Sequence, residues 1–189
     1  ATSVFDGLWP MPPAQYREVI VGPARRASVG GRRLEVAADL VQRLLSDGAQ
    51  GADALPLLGL TLSRLWRDYG AVGELRLAHY IEMGGMSDVI RREAEAVLSG
   101  DPAQRSAQLK ALRAAFVPWL ATIHVGTGEP MRRVERLARL PAESRPLIRA
   151  LIDRRLLLTD LRDGEAVVEV AHESLLRHWS LLAGWLREQ

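Results

Sequence analysis

Four histidines occur in the 189-residue chain, and one of them, His172, stands in EVAHESLLRHW (169–179), where an alternating apolar run gives way to helical spacing. His172-Glu173 has the opening of H-E-x-x-H, in which histidines at i and i+4 on one helix face hold zinc. The second ligand would be residue 176, which is Leu176, and His178 lies six residues on, facing away from His172 on a helix. With no cysteine in the chain, no metal site is expected. The imidazole needs another use.

Other catalytic patterns are missing. The one lysine, Lys110, sits in QLKAL with no glycines before it, so there is no phosphate loop of the G-x-x-x-x-G-K-[ST] kind. No G-x-S-x-G elbow is present, and a thiol nucleophile is excluded. Glu93 and Glu95 read as part of a solvated helical face, and the loop HVGTGEP as a turn. The chain is therefore not expected to be an enzyme by itself.

Helical periodicity dominates the elements that would position His172. Pro10, Pro12 and Pro13 lead into a helix that Gly22-Pro23 should stop near Val21. After the loop SVGGRR, a helix carries Ala37, Leu40, Val41, Leu44 and Leu45 on one face, and SDGAQGAD breaks the chain again. DALPLLGLTLSRLWRD (53–68) is apolar on nearly all sides and predicts a buried helix, with Pro56 in its first turn. LAHYIEM gives a short helix, and Ser87 can cap the next, with Ile90, Ala94 and Val97 inside.

SGDPAQ (99–104) is a helix stop followed by a new start. It divides the chain into a helical domain at 1–100 and a second domain at 101–189. The second half predicts a helix from Pro102 to Trp119, a short segment over MRRVERLARL and a helix led by Pro141. A β-hairpin around Asp163-Gly164 follows, then a final helix burying Leu175, Leu176, Trp179, Leu182, Ala183 and Leu186. Helix, short helix, helix and hairpin is the winged-helix pattern. The fold class is mainly α: a helical bundle followed by a winged helix with one hairpin.

A winged helix raises the question of DNA. Residues 132–155 hold eight arginines against three acids, and Arg145 and Arg149 share a helix face as phosphate or guanine contacts require. Against this stand Pro146, the hairpin acids Asp163, Glu165 and Glu169, and a net charge of only +2. A DNA-binding regulator contacting duplex through Arg145 and Arg149 is the alternative reading, and nucleic acid is not the expected partner. A third reading is a protein-interaction scaffold in which Trp66, Trp119, Trp179 and Trp185 are core.

If the strand ending at Ala171 runs on one residue, His172 shares a side with Val168 and Val170. It then points inward or into a cleft at the start of a helix, where an anion is favoured. The bland use of such a histidine is a hydrogen bond to a neighbouring carbonyl.

Three stretches, LPLLGLTLSRLW, LAHYIEMGGMSDVIRREAEAVL and VEVAHESLLRHWSLLAGWL, resemble the region downstream of the nucleotide-binding core in bacterial STAND NTPases. These are AAA+-related signalling ATPases, and the resemblance is to the novel STAND group, often fused to β-propeller, TIR or kinase-like modules. It runs from LWPMPPAQYREVI to the last tryptophan and implies a helical lid followed by a winged helix. Pro56 in ALPLL corresponds to the proline of the lid's G-x-P motif, which packs against adenine; Ala54 stands where the motif has glycine. His172 in AHE resembles the histidine of the Met-His-Asp motif, which touches the β-phosphate of ADP and locks the resting state; Ala171 and Glu173 replace its flanking residues.

The resemblance implies ADP or ATP bound jointly with an upstream nucleotide-binding domain that carries the phosphate loop. It implies a homo-oligomer on activation and no nucleotide affinity in residues 1–189 alone. No stretch approaches the ~20 apolar residues that cross a bilayer, the N-terminus lacks a secretory pattern, and the absence of cysteine fits a reducing cytoplasm.

Overall fold

The computed structural model describes residues 13–28, 34–48 and 54–188. The expected lead-in at Pro10 and Pro12, and most of the loops SVGGRR and SDGAQGAD, lie outside them. The architecture is mainly α, as the periodicity predicts, with three small sheets of two or three strands.

Helix α1 (Pro13–Ser28) runs through Gly22-Pro23 instead of stopping there. Continuing buries Ala24 beside Ile20, and the Ser28 hydroxyl donates to the Ala24 carbonyl and accepts from the Leu34 amide at 3.0 Å. Tertiary packing outweighs the one helical hydrogen bond that Pro23 removes. Helix α2 (Ala38–Gly48) turns Leu40, Val41 and Leu44 inward. The short strands β1 (Glu35–Val36) and β2 (Glu74–Leu75) pair in parallel.

Helix α3 (Ala54–Tyr69) departs from its expected all-round burial. Leu58, Leu60, Thr61 and Leu65 are buried, whereas Leu55, Gly59 and Trp66 are exposed. One flank of this apolar helix faces outward. Helix α4 (Leu77–Glu82) follows, and α5 (Gly85–Glu95) starts from Gly84, whose φ of +88° makes the turn. Ser87 is therefore inside the first turn of α5 and not its cap. Val89, Ile90 and Ala94 are buried, and so is Glu93, against the solvated face expected for it.

Asp101 caps α6 (Pro102–Ala115), accepting from the Gln104 amide at 2.8 Å, with Pro102 in the first turn. The helix ends at Ala115, short of Trp119; a wide turn at 116–120 holds a cis Val117–Pro118 bond. HVGTGEP is the turn region of an unforeseen antiparallel pair, β3 (Ala121–Ile123) and β4 (Pro130–Arg132). The expected short segment over MRRVERLARL is β4, then β5 (Val134–Arg136) and a 3-10 turn, Leu137–Arg139. A second 3-10 turn (Ala142–Ser144) leads into α7 (Arg145–Asp153).

The hairpin forms as predicted. β6 (Leu157–Arg162) and β7 (Glu165–Val170) meet at Asp163 (φ +52°) and Gly164 (φ +79°), the paired left-handed residues of a two-residue turn. β5 adds to the other edge, giving the order β5-β7-β6 with every pair antiparallel. The expected final helix is two: α8 (Ser174–His178) and α9 (Ser180–Arg187), broken at Trp179, whose ψ of 96° is extended. The break lets the buried Trp179 ring meet Phe116 and Trp185 edge-on, at 5.6 and 5.7 Å between centroids. Buried side chains from both halves, Ile20 to Leu186, join one continuous core.

Candidate functional site

Pro56 sits in the first turn of α3, where the amide it lacks would have no helical acceptor. His172 stands between the end of β7 and the start of α8. The Ala171 amide before it bonds Leu156 at 3.0 Å, prolonging the β6–β7 pairing, and the His172 carbonyl accepts from the Leu175 amide at 3.0 Å. The backbone on each side of His172 is thus pinned, and its side chain is half-buried.

These two residues, from opposite ends of the chain, line one cleft of about 460 Å³. Gly59 and Leu60 of α3, Leu158 of β6 and Arg155 complete the wall with them. Leu158 is 48% exposed, so the cleft has an apolar floor that opens to solvent, and its size falls in the range of small-molecule sites. Gly59 and Arg155 also belong to a neighbouring groove of about 750 Å³, running between α1 and α3 past Val19, Pro23, Leu62 and Trp66. The outward flank of α3 is thus one wall of two adjoining depressions.

Arg155 was not foreseen as a site residue. It follows α7, and its backbone is left-handed, with φ +61°. The Leu156 amide bonds the Leu151 carbonyl at 3.0 Å and the Arg155 amide bonds Ile152 at 2.8 Å, which is a Schellman helix ending with Arg155 at the position usually held by glycine. A signal did exist: DRRLLL passes from helix to strand with neither glycine nor asparagine at the break.

Its neighbour Arg154 turns the other way, into the protein. Arg154 Nη1 lies 2.9 Å from Glu93 Oε2, while Arg67 of α3 reaches the same carboxylate through both nitrogens at 2.8 and 3.2 Å. Arg64 Nε is 3.4 Å away. Glu93 is 1% exposed; its hydrogen bond to Arg67 raises the pKa of that guanidinium against the opposing effect of burial. The cluster ties α3 and α5 to the turn that carries Arg155.

Two expectations change. α8 has five residues, too few for a strong helix dipole, so the positive character of the cleft comes from Arg155 and not from a helix N-terminus. Arg145, a candidate DNA contact, spends its guanidinium on the carbonyls of Leu140 and Ala138, at 3.1 and 2.7 Å; Arg149 is exposed on α7. No observation favours the duplex-DNA reading. Trp66 is 39% exposed, unlike the buried Trp179. Among the described residues no acid–histidine group could hold a metal, and no helix is long and apolar enough to cross a membrane.

A family model described as Novel STAND NTPase 1 matches residues 6–189. The chain belongs to the novel STAND NTPase 1 family. No curated protein and no solved structure matches it. Membership associates the chain with a nucleotide-binding domain and a regulatory role in a STAND NTPase. The cleft wall sets the apolar Leu158 and Pro56 beside the imidazole of His172 and the guanidinium-bearing Arg155.

Proposed function

We propose that residues 1–100 are the helical lid and residues 101–189 the winged helix of a STAND signalling NTPase, and that the cleft is their share of an ADP or ATP site. An upstream nucleotide-binding domain completes the site and holds the phosphate loop and catalytic groups; this chain contributes no catalytic residue. The observation that carries the reading is the meeting of Pro56 and His172 in one cleft. The winged-helix assignment is supported by helix α6, strand β5, two 3-10 turns, helix α7 and a hairpin whose second strand lies centrally in the order β5-β7-β6.

The nucleotide supplies a planar base and a chain of negative charge. Pro56 covers the base and excludes water from it. His172 donates an imidazole N–H to the β-phosphate of ADP and so holds the winged helix against the lid. In the ATP state His172 gives up that contact, the winged helix rotates, and surfaces for homo-oligomerisation come free. The setting is cytoplasmic.

The test is nucleotide retention by the full-length protein, purified without added nucleotide, wild type against His172→Ala. Wild type should carry ADP, and the variant should lose it and show raised basal signalling. Equal ADP retention with unchanged basal activity would sink the reading.

A further inference from the structure

The cleft holds a cation whose placement neither the sequence motifs nor the lid-and-winged-helix reading accounts for. Arg155 is exposed, and its guanidinium makes no hydrogen bond or ion pair among the described residues. That sets it apart from Arg154, Arg67, Arg64 and Arg145, all of which are engaged on carboxylates or carbonyls. Its backbone is strained: φ of +61° at a helix end favours glycine, and a long β-carbon-bearing side chain is kept there against that preference. Asp163, the other non-glycine residue with positive φ among the described residues, sits in a hairpin turn that suits it. Arg155 has no such excuse, and strain of this kind collects where a side chain is needed in one place.

The place is specified from behind. Arg154 is anchored on buried Glu93, which Arg67 also grips, and Leu156 on the other side is fully buried. The turn is fixed on both flanks, and Arg155 stands where the cleft that Pro56 and His172 line meets the groove between α1 and α3.

We propose that Arg155 is a second phosphate-binding residue of this cleft, a cation that, alongside the His172 imidazole, recognises the anionic tail of a nucleoside diphosphate, with Glu93 and Arg154 as positioning residues. The inference rests on the nucleotide reading above. Arginine suits the task because its fork of N–H donors matches two phosphate oxygens at once and stays charged at any physiological pH. A guanidinium in this position reads the charge of the ligand and not its base.

The experiment uses the full-length protein stripped of nucleotide, with calorimetric titration of ADP and of adenosine. The variants are Arg155→Gly, His172→Ala and wild type. Glycine fits the left-handed backbone, so the variant removes the guanidinium without disturbing the turn. The expected result is ADP affinity weakened roughly 10- to 100-fold in Arg155→Gly, adenosine affinity unchanged, and a shallower salt dependence for ADP. Unchanged ADP affinity in Arg155→Gly, with a loss in His172→Ala, overturns the role of Arg155 and leaves the nucleotide reading standing. Equal losses for ADP and adenosine mean that Arg155 only shapes the cleft, which also overturns it. Wild type that binds neither ligand removes both readings together.

Discussion

Replacing Glu93 with glutamine keeps the shape of a buried side chain and deletes its charge. The carboxylate is 1% exposed and meets Arg67 at 2.8 Å, Arg154 at 2.9 Å and Arg64 at 3.4 Å. Breaking a buried ion pair by removing one partner costs about 3–5 kcal/mol, because charge is left without compensation. Here the figure must be discounted, since the side chains of Arg67 and Arg154 are 48% and 31% exposed and regain water when released. Arg64 is the exception: it is 17% exposed, its Nη1 already lacks a partner, and it has least to gain from solvent. The expected loss is about 2–3 kcal/mol. For a chain of this length that lowers the melting temperature by roughly 5–10 °C.

Thermal and urea unfolding of the Glu93→Gln chain measure it. A cycle with Arg154→Met isolates the part that joins α5 to the turn after α7, with an expected coupling of about 1–2 kcal/mol. A variant that melts with wild type, or a coupling of zero, refutes the view that this carboxylate fastens the two halves.

Arg155→Gly should leave the chain as stable as wild type or raise stability by up to about 1 kcal/mol, relief of the left-handed strain being partly offset by glycine's larger unfolded entropy; a clear loss in a urea titration would mean the arginine packs. Tyr80 donates to Asp47 at 2.6 Å and accepts from the Met86 amide at 2.9 Å, and burial, then the Asp47 bond, push its pKa up to about 12. The folded chain therefore keeps a proton that the unfolded chain releases near pH 10, so stability should fall between pH 10 and about 12 by up to ~2–3 kcal/mol, and Tyr80→Phe should flatten that fall. Asp101→Ala removes the α6 cap and should cost about 1 kcal/mol in the same melts.

What was legible in the sequence was local. Asp163-Gly164 specifies its hairpin because both residues accept positive φ, and Asp101-Pro102 fixes the start of α6 because cap and first turn are neighbours. Pro56 and His172 stood out as motif residues only through a family resemblance, and their common cleft was not legible, since it exists only once α3 lies beside the β7–α8 joint. Glu93 misled for the same reason: its helix neighbours are charged, and its partners Arg67 and Arg154 lie 26 and 61 residues away. Gly22-Pro23 and Trp179 failed in opposite directions. In the first, packing carried a helix through a breaker; in the second, a tryptophan that had to reach Phe116 and Trp185 broke a helix with no breaker in it.

The Glu93 cluster and the continuous core around it also bear on time. If the winged helix swings away from the lid, α5 and α8 must part, and a carboxylate now sheltered from water must lose its Arg154 partner before water has fully reached it. The top of that barrier is a half-hydrated ion with its old bond gone and its new shell incomplete. In the proposed switch such a joint would act as a latch with a delay: brief fluctuations would fail to open it, and only a signal that persists would release it. The delay should shorten when Glu93 is neutralised, even where the resting and active states keep the same relative populations.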